Sequence, residues 1–353
     1  MKHNFDSIEF KNAYHTEAPL GAFCGREGTL FRLWAPTAEK VELRLYAAGN
    51  DRPAEKTIPM AAKSRGLWEY ETPENLDGTY YDYAVLVDGT VYETPDPYGV
   101  ACGVNGVRSM VLDLSRTDPE NWEKDTAPAK QPEQIIYELH IKDFSWDTAG
   151  GFDAKDRGKY TAFTKNGTTL NKEGQFATGM DYLKRLGVTH IQILPMYDYG
   201  SVDETQPEKG YNWGYDPKNY NVPEGGYATD PYSPATRILE LKTMIQQLHA
   251  AGIRVIMDVV YNHTFVGDNS HLNLQAPGYF YRMNEDGSWG NGSGCGNETA
   301  SEQEWFRKYM IESLEWWMKE YHIDGLRFDL MAIHDIETMN LISERLHAID
   351  PDV

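Results

Sequence analysis

The sequence predicts two unlike domains, a small immunoglobulin-like β-sandwich followed by a parallel β-sheet covered with helices. Short runs in which polar and apolar residues alternate fill the first hundred positions, as is typical of sandwich strands. From residue 134 onward, apolar strand-like runs alternate with helix-like segments, which is typical of βαβ units. Residues 113–132 between them are rich in proline and charge and have little periodicity. We therefore predict domains at 1–120 and 121–353.

Within the first domain, the segment VELRLYA (residues 41–47) places its apolar residues at alternate positions, so one face of this strand should be buried. The Asp88-Gly89 pair separates two further strand-like runs and predicts a tight hairpin turn. Trp68 and Tyr70 lie two positions apart on another predicted strand. This pair fits either a glucan-contacting face or the domain core.

The second domain contains four predicted strand–helix units. The strands are residues 135–141, 189–195, 253–261 and 323–330. The first predicted helix follows Thr178 and ends at Leu186. The second begins at Pro234, after the N-cap Ser233, and ends at Gly252. The third begins at a capping box formed by Ser301 and Glu304, and the fourth covers about residues 336–349.

Two architectures fit such units, an open doubly wound sheet and a (β/α)8 barrel. No GxGxxG motif follows the first strand, which disfavours the dinucleotide-binding version of the open sheet. Polar residues cluster at or just after the carboxyl ends of the strands, where barrel enzymes carry their catalytic groups. These residues are His140, Asp258, Asn262, His263, Arg327 and Asp329.

Composition excludes several classes of function. A formal net charge of −21 argues against a nucleic-acid partner, since such proteins carry a basic face. No run approaches the roughly 20 apolar residues of a membrane span, and the start MKHNFDSIEF lacks a signal-peptide core, so we expect a cytoplasmic protein. Cys24, Cys102 and Cys295 are far apart and indicate free thiols.

The segment GLRFD contains the sharpest candidate for chemistry. Arg327 and Asp329 lie two positions apart on a strand and therefore share a face. A guanidinium favours the ionised form of a neighbouring carboxylate, and an ionised, positioned carboxylate can attack an anomeric carbon. A purely structural ion pair is the alternative.

The segment DVVYNH (residues 258–263) lies at the end of the preceding strand. Asp258 is predicted to be buried and therefore needs a partner, for which Arg327 on the next strand is the candidate. Asn262 and His263 follow the strand, where they could hydrogen-bond a ligand. For His263 a hydrogen-bonded core histidine is the alternative.

The loop YNWGYDP (residues 211–217) combines two tyrosines, a tryptophan and an aspartate. Aromatic faces stack on pyranose rings and polar tips bind hydroxyls, so Trp213, Tyr215 and Asp216 suit a sugar site. A loop anchored by its own aromatics is the alternative. The glycine-rich residues 292–298 lack the spacing of a phosphate-binding loop, and the absence of HExxH and CxxC gives catalytic zinc little support.

These segments together resemble glycoside hydrolase family 13, the α-amylase superfamily. DVVYNH and GLRFDLM resemble its first and second conserved regions, and YNWGYDP is similar to the segment that marks type I pullulanases. YELHIKDFS, IQILPMYD and SGCGNETASE are also similar to segments of pullulanases. FRLWAPTAEKVELRLY resembles carbohydrate-binding module family 48, which commonly precedes these barrels.

The resemblance implies hydrolysis of α-1,6-glucosidic bonds with retention, acting on pullulan, branched limit dextrins, glycogen or amylopectin. It implies Asp329 as nucleophile, Arg327 as its ion-pair partner, Tyr215 stacked on the sugar, His263 bonded to it, and Asp258 and Asp216 as framework. Trp213 and His140 complete the predicted substrate-binding residues. No cofactor is required, although Asn262 matches a position that binds calcium in some relatives.

The resemblance also implies a barrel of eight strands, of which we count four. The family's general-acid Glu follows the fifth strand and its further His-Asp pair follows the seventh. We therefore expect residues 121–353 to form an incomplete catalytic barrel that is inactive by itself. A non-catalytic α-glucan-binding protein, or a relative of isoamylase or branching enzyme, is the alternative function.

Overall fold

The computed structural model describes residues 4–353, and its first half is built from antiparallel strands. Helix α1 (Ile8–Tyr14) precedes β1 (Gly21–Gly25), β2 (Gly28–Trp34), β3 (Lys40–Tyr46), β4 (Lys56–Pro59), β5 (Ala61–Ala62), β6 (Leu67–Thr72), β7 (Tyr80–Val87), β8 (Thr90–Thr94) and β9 (Ser109–Met110). One sheet has the order β1-β2-β6-β5, and the other has the order β4-β3-β7-β8 with β9 beside β7.

The two antiparallel sheets share one core, as a sandwich requires. Phe31 comes from one sheet, Leu43 and Tyr83 come from the other, and all three are fully buried in the same cluster. Asp88 and Gly89 have φ values of 48° and 75°, which is the positive-φ pair of a tight hairpin turn. The predicted sandwich and the predicted hairpin are both confirmed.

The second half is built around a parallel sheet. Its elements are β10 (Ile136–Leu139), α2 (Ile141–Trp146), α3 (Gly179–Leu186), β11 (His190–Ile193), β12 (Tyr197–Tyr199), β13 (Pro217–Pro223), α4 (Pro234–Ala250), β14 (Arg254–Val259), α5 (His271–Gln275), α6 (Glu304–Tyr321), β15 (Gly325–Phe328) and α7 (Ile336–His347). Strands β10, β11, β14 and β15 are all parallel and adjacent in chain order.

This strand order distinguishes the two architectures that fit the sequence. A doubly wound sheet reverses its strand order at a switch point, whereas a barrel adds each strand beside the previous one. The order β10-β11-β14-β15 contains no reversal. The parallel sheet therefore has the arrangement of the start of a (β/α)8 barrel.

Helix α4 follows the predicted pattern closely. The Ser233 hydroxyl accepts a hydrogen bond from the Thr236 backbone N–H, and Pro234 occupies the first turn. Ile238, Leu241, Ile245 and Leu248 are fully buried. The apolar face of α6, from Phe306 to Tyr321, is buried as predicted.

Three details of the prediction are wrong. The first barrel strand ends at Leu139, because Ile141 already begins helix α2. Ser301 does not cap α6, whose N-cap is Gln303; its hydroxyl instead bonds Asp335, the N-cap of α7. No strand was predicted between residues 195 and 234, but residues 217–223 pair with β12 as strand β13.

The segment predicted as a linker is anchored to the barrel. Trp122 is buried and stacks on His322 with ring centroids 4.0 Å apart. Asp125 bonds both His322 and His249, each at 2.8 Å. The domain boundary near residue 120 remains a prediction.

The sandwich also packs directly on the barrel. Trp34 of β2 stacks on Trp305 of α6 at 4.3 Å, and both rings belong to the larger core cluster. Trp68 and Tyr70 are partly buried against the sandwich core, and Trp68 Nε1 donates to the Ala35 carbonyl, which favours their core interpretation. None of the helices in residues 4–353 has the length and apolar character of a membrane span.

Candidate active site

The carboxyl ends of β14 and β15 bring together one arginine and two aspartates. Asp258 and Arg327 are register partners on these strands. Arg327 Nη1 lies 2.9 Å from each Asp258 carboxylate oxygen and 3.1 Å from Asp329 Oδ1. The predicted pairing of Arg327 with both carboxylates is therefore confirmed.

The three side chains differ in their access to solvent. The Asp258 side chain is 0% exposed, Asp329 is 17% exposed and Arg327 is 41% exposed. Burial raises the pKa of Asp258 to about 6, although hydrogen bonds from Arg327 and Tyr215 oppose the shift. Asp258 is thus the inner support of the site, and Asp329 is the carboxylate that a ligand can reach.

Asn262 holds Asp329 in place. Its Nδ2 donates to the Asp329 carbonyl at 2.9 Å and to Asp329 Oδ2 at 3.2 Å, while the Asp329 N–H donates to the Val259 carbonyl. Leu330 follows with φ 45°, a left-handed conformation that is unusual for a non-glycine residue. The chain therefore turns away directly after Asp329, and the Asp329 side chain lies at the end of the sheet.

Asn262 fits the expected calcium poorly. Its only side-chain oxygen lies 2.6 Å from His263 Nδ1, and its nitrogen is committed to Asp329. A cation would need that oxygen as a ligand. We therefore assign Asn262 to the positioning of Asp329 and derive no metal chemistry from it.

His263 is buried and its ring is held from both sides. Nδ1 faces Asn262 Oδ1 at 2.6 Å and Nε2 faces the Tyr215 carbonyl at 2.9 Å. Burial lowers the pKa of His263, and a neutral ring can donate to only one of these acceptors. In this structure the ring links the strand end to the aromatic loop, and its contact with a sugar remains a prediction.

Tyr215 closes the inner side of the site. Its hydroxyl donates to Asp258 Oδ2 at 2.8 Å, and burial raises its pKa, which keeps the phenol protonated. Gly214 before it has φ 94°, and a Cβ there would lie 2.5 Å from the Pro195 carbonyl oxygen. Only glycine fits this turn, which places Tyr215 against the sheet.

The remaining predicted residues lie around the same loop. Asp216 accepts from Asn212 Nδ2 at 2.6 Å and so helps to hold the loop, while its contact with a substrate remains a prediction. Trp213 is 58% exposed. His140 is buried, and its Nε2 lies 3.1 Å from the Asn212 carbonyl, so it supports the loop from the protein interior.

A cleft of about 800 Å³ opens beside these residues. His140, Trp213 and Tyr215 line it, whereas Arg327 and Asp329 are outside its lining. A cleft of this size with aromatic walls suits a small polar ligand. Sequence reasoning did not single out Lys142 and Asp143, which lie in YELHIKDFS shortly after His140.

Two segments of the chain match known families. Residues 19–99 match Carbohydrate-binding module 48 (Isoamylase N-terminal domain), and residues 174–272 match Alpha amylase, catalytic domain. Among curated proteins, the pullulanase of Bacillus subtilis (strain 168) is 37% identical over 98% of this chain, and that of Klebsiella aerogenes is 34% identical over 94%. The chain spans 47% and 37% of these relatives, respectively.

Solved structures give the same grouping. The pullulanase from Paenibacillus barengoltzii in complex with maltohexaose and alpha-cyclodextrin has a TM-score of 0.95 and 47% identity over 99% of this chain and 54% of its own. The pullulanase from Bacillus acidopullulyticus has a TM-score of 0.92 and 45% identity over 97% and 42%. The chain therefore belongs to glycoside hydrolase family 13, the α-amylase superfamily, as a member related to pullulanases with an N-terminal carbohydrate-binding module 48 region.

Proposed function

We propose that this protein debranches α-glucans by cleaving α-1,6-glucosidic bonds with retention, and that Asp329 is the nucleophile. The observation that carries the proposal is the geometry of Asp329, a partly exposed carboxylate at a parallel sheet end that is oriented by Arg327 and Asn262. A carboxylate fixed in this way can attack the anomeric carbon and form a glycosyl intermediate.

The neighbouring residues take supporting roles in this proposal. Arg327 keeps Asp329 charged and oriented, while Asp258 and Tyr215 hold Arg327 from the buried side. Trp213 offers an exposed aromatic face beside the cleft, and aromatic faces stack on sugar rings. Pullulan, branched limit dextrins, glycogen and amylopectin are the proposed substrates.

The reaction needs a second carboxylic acid, about 5–5.5 Å from the nucleophile, to protonate the leaving oxygen. Asp258 is unsuited, since its side chain is fully buried and both oxygens accept from Arg327. The family resemblance places this acid after a fifth barrel strand. We therefore propose hydrolysis for a barrel that includes such a strand, and glucan binding for residues 1–353.

The second candidate function is glucan binding without catalysis. The match of residues 19–99 to a carbohydrate-binding module and the aromatic cleft beside Trp213 both favour it. The two functions differ in their dependence on Asp329. Hydrolysis requires its carboxylate, whereas binding through Trp213 and the sandwich does not.

The test combines binding and turnover. Calorimetric titration of the 353-residue chain with maltotriose should show binding that Asp329→Asn retains. Release of reducing ends from pullulan by a protein that carries these residues in an eight-stranded barrel should be lost in the same variant and kept in Asp153→Asn, an exposed aspartate outside the site. Full hydrolysis by Asp329→Asn would refute the nucleophile, and no maltotriose binding would refute both functions.

A further inference from the structure

We propose that Lys142 is a positioning residue that clamps the aromatic loop of residues 207–213 and so sets the direction of Trp213. This inference rests on the proposed function, in which the exposed face of Trp213 stacks on a sugar ring. The clamp itself is a structural property that can be tested without any sugar.

Lys142 is joined to both ends of a short turn in this loop. Its Nζ donates to the Pro207 carbonyl at 2.7 Å and to the Gly210 carbonyl at 2.8 Å. The residue is only 9% exposed, and burial lowers its pKa. A buried ammonium with two carbonyl partners has little freedom to move, since leaving them would strand its charge.

Aromatic rings enclose the same ammonium. Lys142 Nζ lies 4.5 Å from the ring centroid of Trp146 and 5.8 Å from that of Tyr211. Both distances are within the range of cation–π attraction. Lys142 thus binds the loop backbone and one of the loop's own aromatic side chains at once.

The clamp reaches Trp213 through Tyr211. The Tyr211 hydroxyl donates to Asp143 Oδ2 at 2.6 Å and accepts from Trp213 Nε1 at 3.0 Å. Because Trp213 is 58% exposed, this hydrogen bond through Tyr211 helps to define its orientation. Helix α2, which directly follows the first barrel strand, therefore orients an aromatic face that lines the cleft.

The first test measures loop release by proteolysis. Lys209 lies between the two carbonyls that Lys142 holds, so tryptic cleavage after Lys209 reports on the clamp. We expect Lys142→Met to accelerate this cleavage at least about tenfold, the factor that corresponds to one lost charge-assisted hydrogen bond. Lys184→Met on the exposed side of α3 is the matched control and should leave the rate unchanged.

Two further variants separate the clamp from a general loss of folding. Lys142→Arg retains donors for both carbonyls and should restore slow cleavage. Tyr211→Phe removes the hydroxyl that joins Asp143 to Trp213 and should weaken maltotriose binding while cleavage after Lys209 stays slow. Lys142→Met should weaken maltotriose binding about tenfold. The melting temperature of the variant, measured in parallel, shows that the loss of affinity is not a loss of folded protein.

The outcomes decide the inference separately from the proposed function. Unchanged cleavage after Lys209 in Lys142→Met would overturn the clamp, whatever the sugar data show. Accelerated cleavage with unchanged maltotriose affinity would overturn the positioning of Trp213. A wild-type chain that binds no maltotriose would refute the proposed function, and the cleavage rates would still decide the clamp.

Discussion

Two of the clusters in which one arginine contacts several carboxylates differ in their access to solvent. We call Asp198, Glu204, Glu224 and Arg237 the sealed cluster, and Asp258, Arg327 and Asp329 the site cluster. Arg237 is 0% exposed and binds Glu204 through two nitrogens at 3.0 and 2.9 Å. Arg327 is 41% exposed and divides its contacts between two aspartates.

The sealed cluster connects distant parts of the chain. Glu204 also accepts from the backbone N–H groups of Asn105 and Gly225. One oxygen from each of its three carboxylates lies within 4.8 Å of the others, and burial raises the pKa of Asp198 and Glu224. All four side chains are buried, and Arg237 is the cation that faces Asp198 and Glu204.

The two clusters differ in whether the fold leaves a carboxylate accessible, and only the site cluster has an accessible carboxylate for the proposed chemistry. In the sealed cluster, removal of the arginine would leave buried charge without a partner. In the site cluster, solvent or substrate can approach Asp329. We therefore expect substitutions in the sealed cluster to lower mainly the free energy of unfolding, and substitution of Asp329 to lower mainly turnover.

The largest effect is expected for Asp329→Asn. Loss of the nucleophile should lower kcat for pullulan by about 10⁴- to 10⁶-fold in the protein with its complete barrel, because the glycosyl intermediate cannot form. Urea unfolding should show little change, since the side chain is partly exposed. A large loss of stability together with retained turnover would contradict the assignment of Asp329 as the accessible carboxylate of the site cluster.

The next effect concerns Arg237→Met in the sealed cluster. It should lower the free energy of unfolding by about 3–5 kcal/mol, because the buried carboxylates lose their cation. Arg327→Met is the matched comparison and should destabilise less, since its side chain is 41% exposed. Urea denaturation of both variants measures the difference, and equal losses would remove the distinction between the clusters.

A second sealed group, formed by His249, Asp125 and Asp324, predicts a dependence of stability on pH. His249 lies 2.8 Å from Asp125 and 2.9 Å from Asp324. Burial disfavours its charged ring, but the hydrogen bonds of both carboxylates outweigh burial and raise its pKa to about 9. The charged ring therefore stabilises the folded state fully below pH 6.5, and this contribution disappears as pH rises through about 9.

The shift from 6.5 corresponds to about 3 kcal/mol of unfolding free energy lost across that pH range. Urea titrations at pH 6.5 and pH 9.5 measure it. His249→Gln should flatten the profile between these values. A wild-type profile as flat as that of the variant would show that the ring is neutral in the folded protein.

The smallest effect is expected at an exposed ion pair. Lys319 and Glu315 pair at 2.8 Å on helix α6, with the lysine 58% exposed. Lys319→Gln should change the free energy of unfolding by only about 0.3–0.5 kcal/mol, since solvent screens the pair. A loss of unfolding free energy as large as that of Arg237→Met would mean that solvent exposure does not govern how much an ion pair stabilises this protein.

The sequence by itself determined the local features of the molecule. The spacing of Arg327 and Asp329 placed both on one face of a strand, and the order of strand and helix patterns predicted a sandwich followed by a parallel sheet covered with helices. Such features follow from backbone periodicity over a few residues. The helix that begins after Ser233 was predictable for the same reason.

Only the tertiary structure decided which groups face a ligand and which are already occupied. Both nitrogens of His263 face oxygens of the protein, Ser301 supports α7 rather than α6, and Lys142 holds a loop 65 residues away. These partners are distant in sequence, and their approach depends on how whole elements pack. Periodicity fixes the direction of a side chain from its own strand or helix, but its solvent exposure depends on the neighbouring elements that cover it.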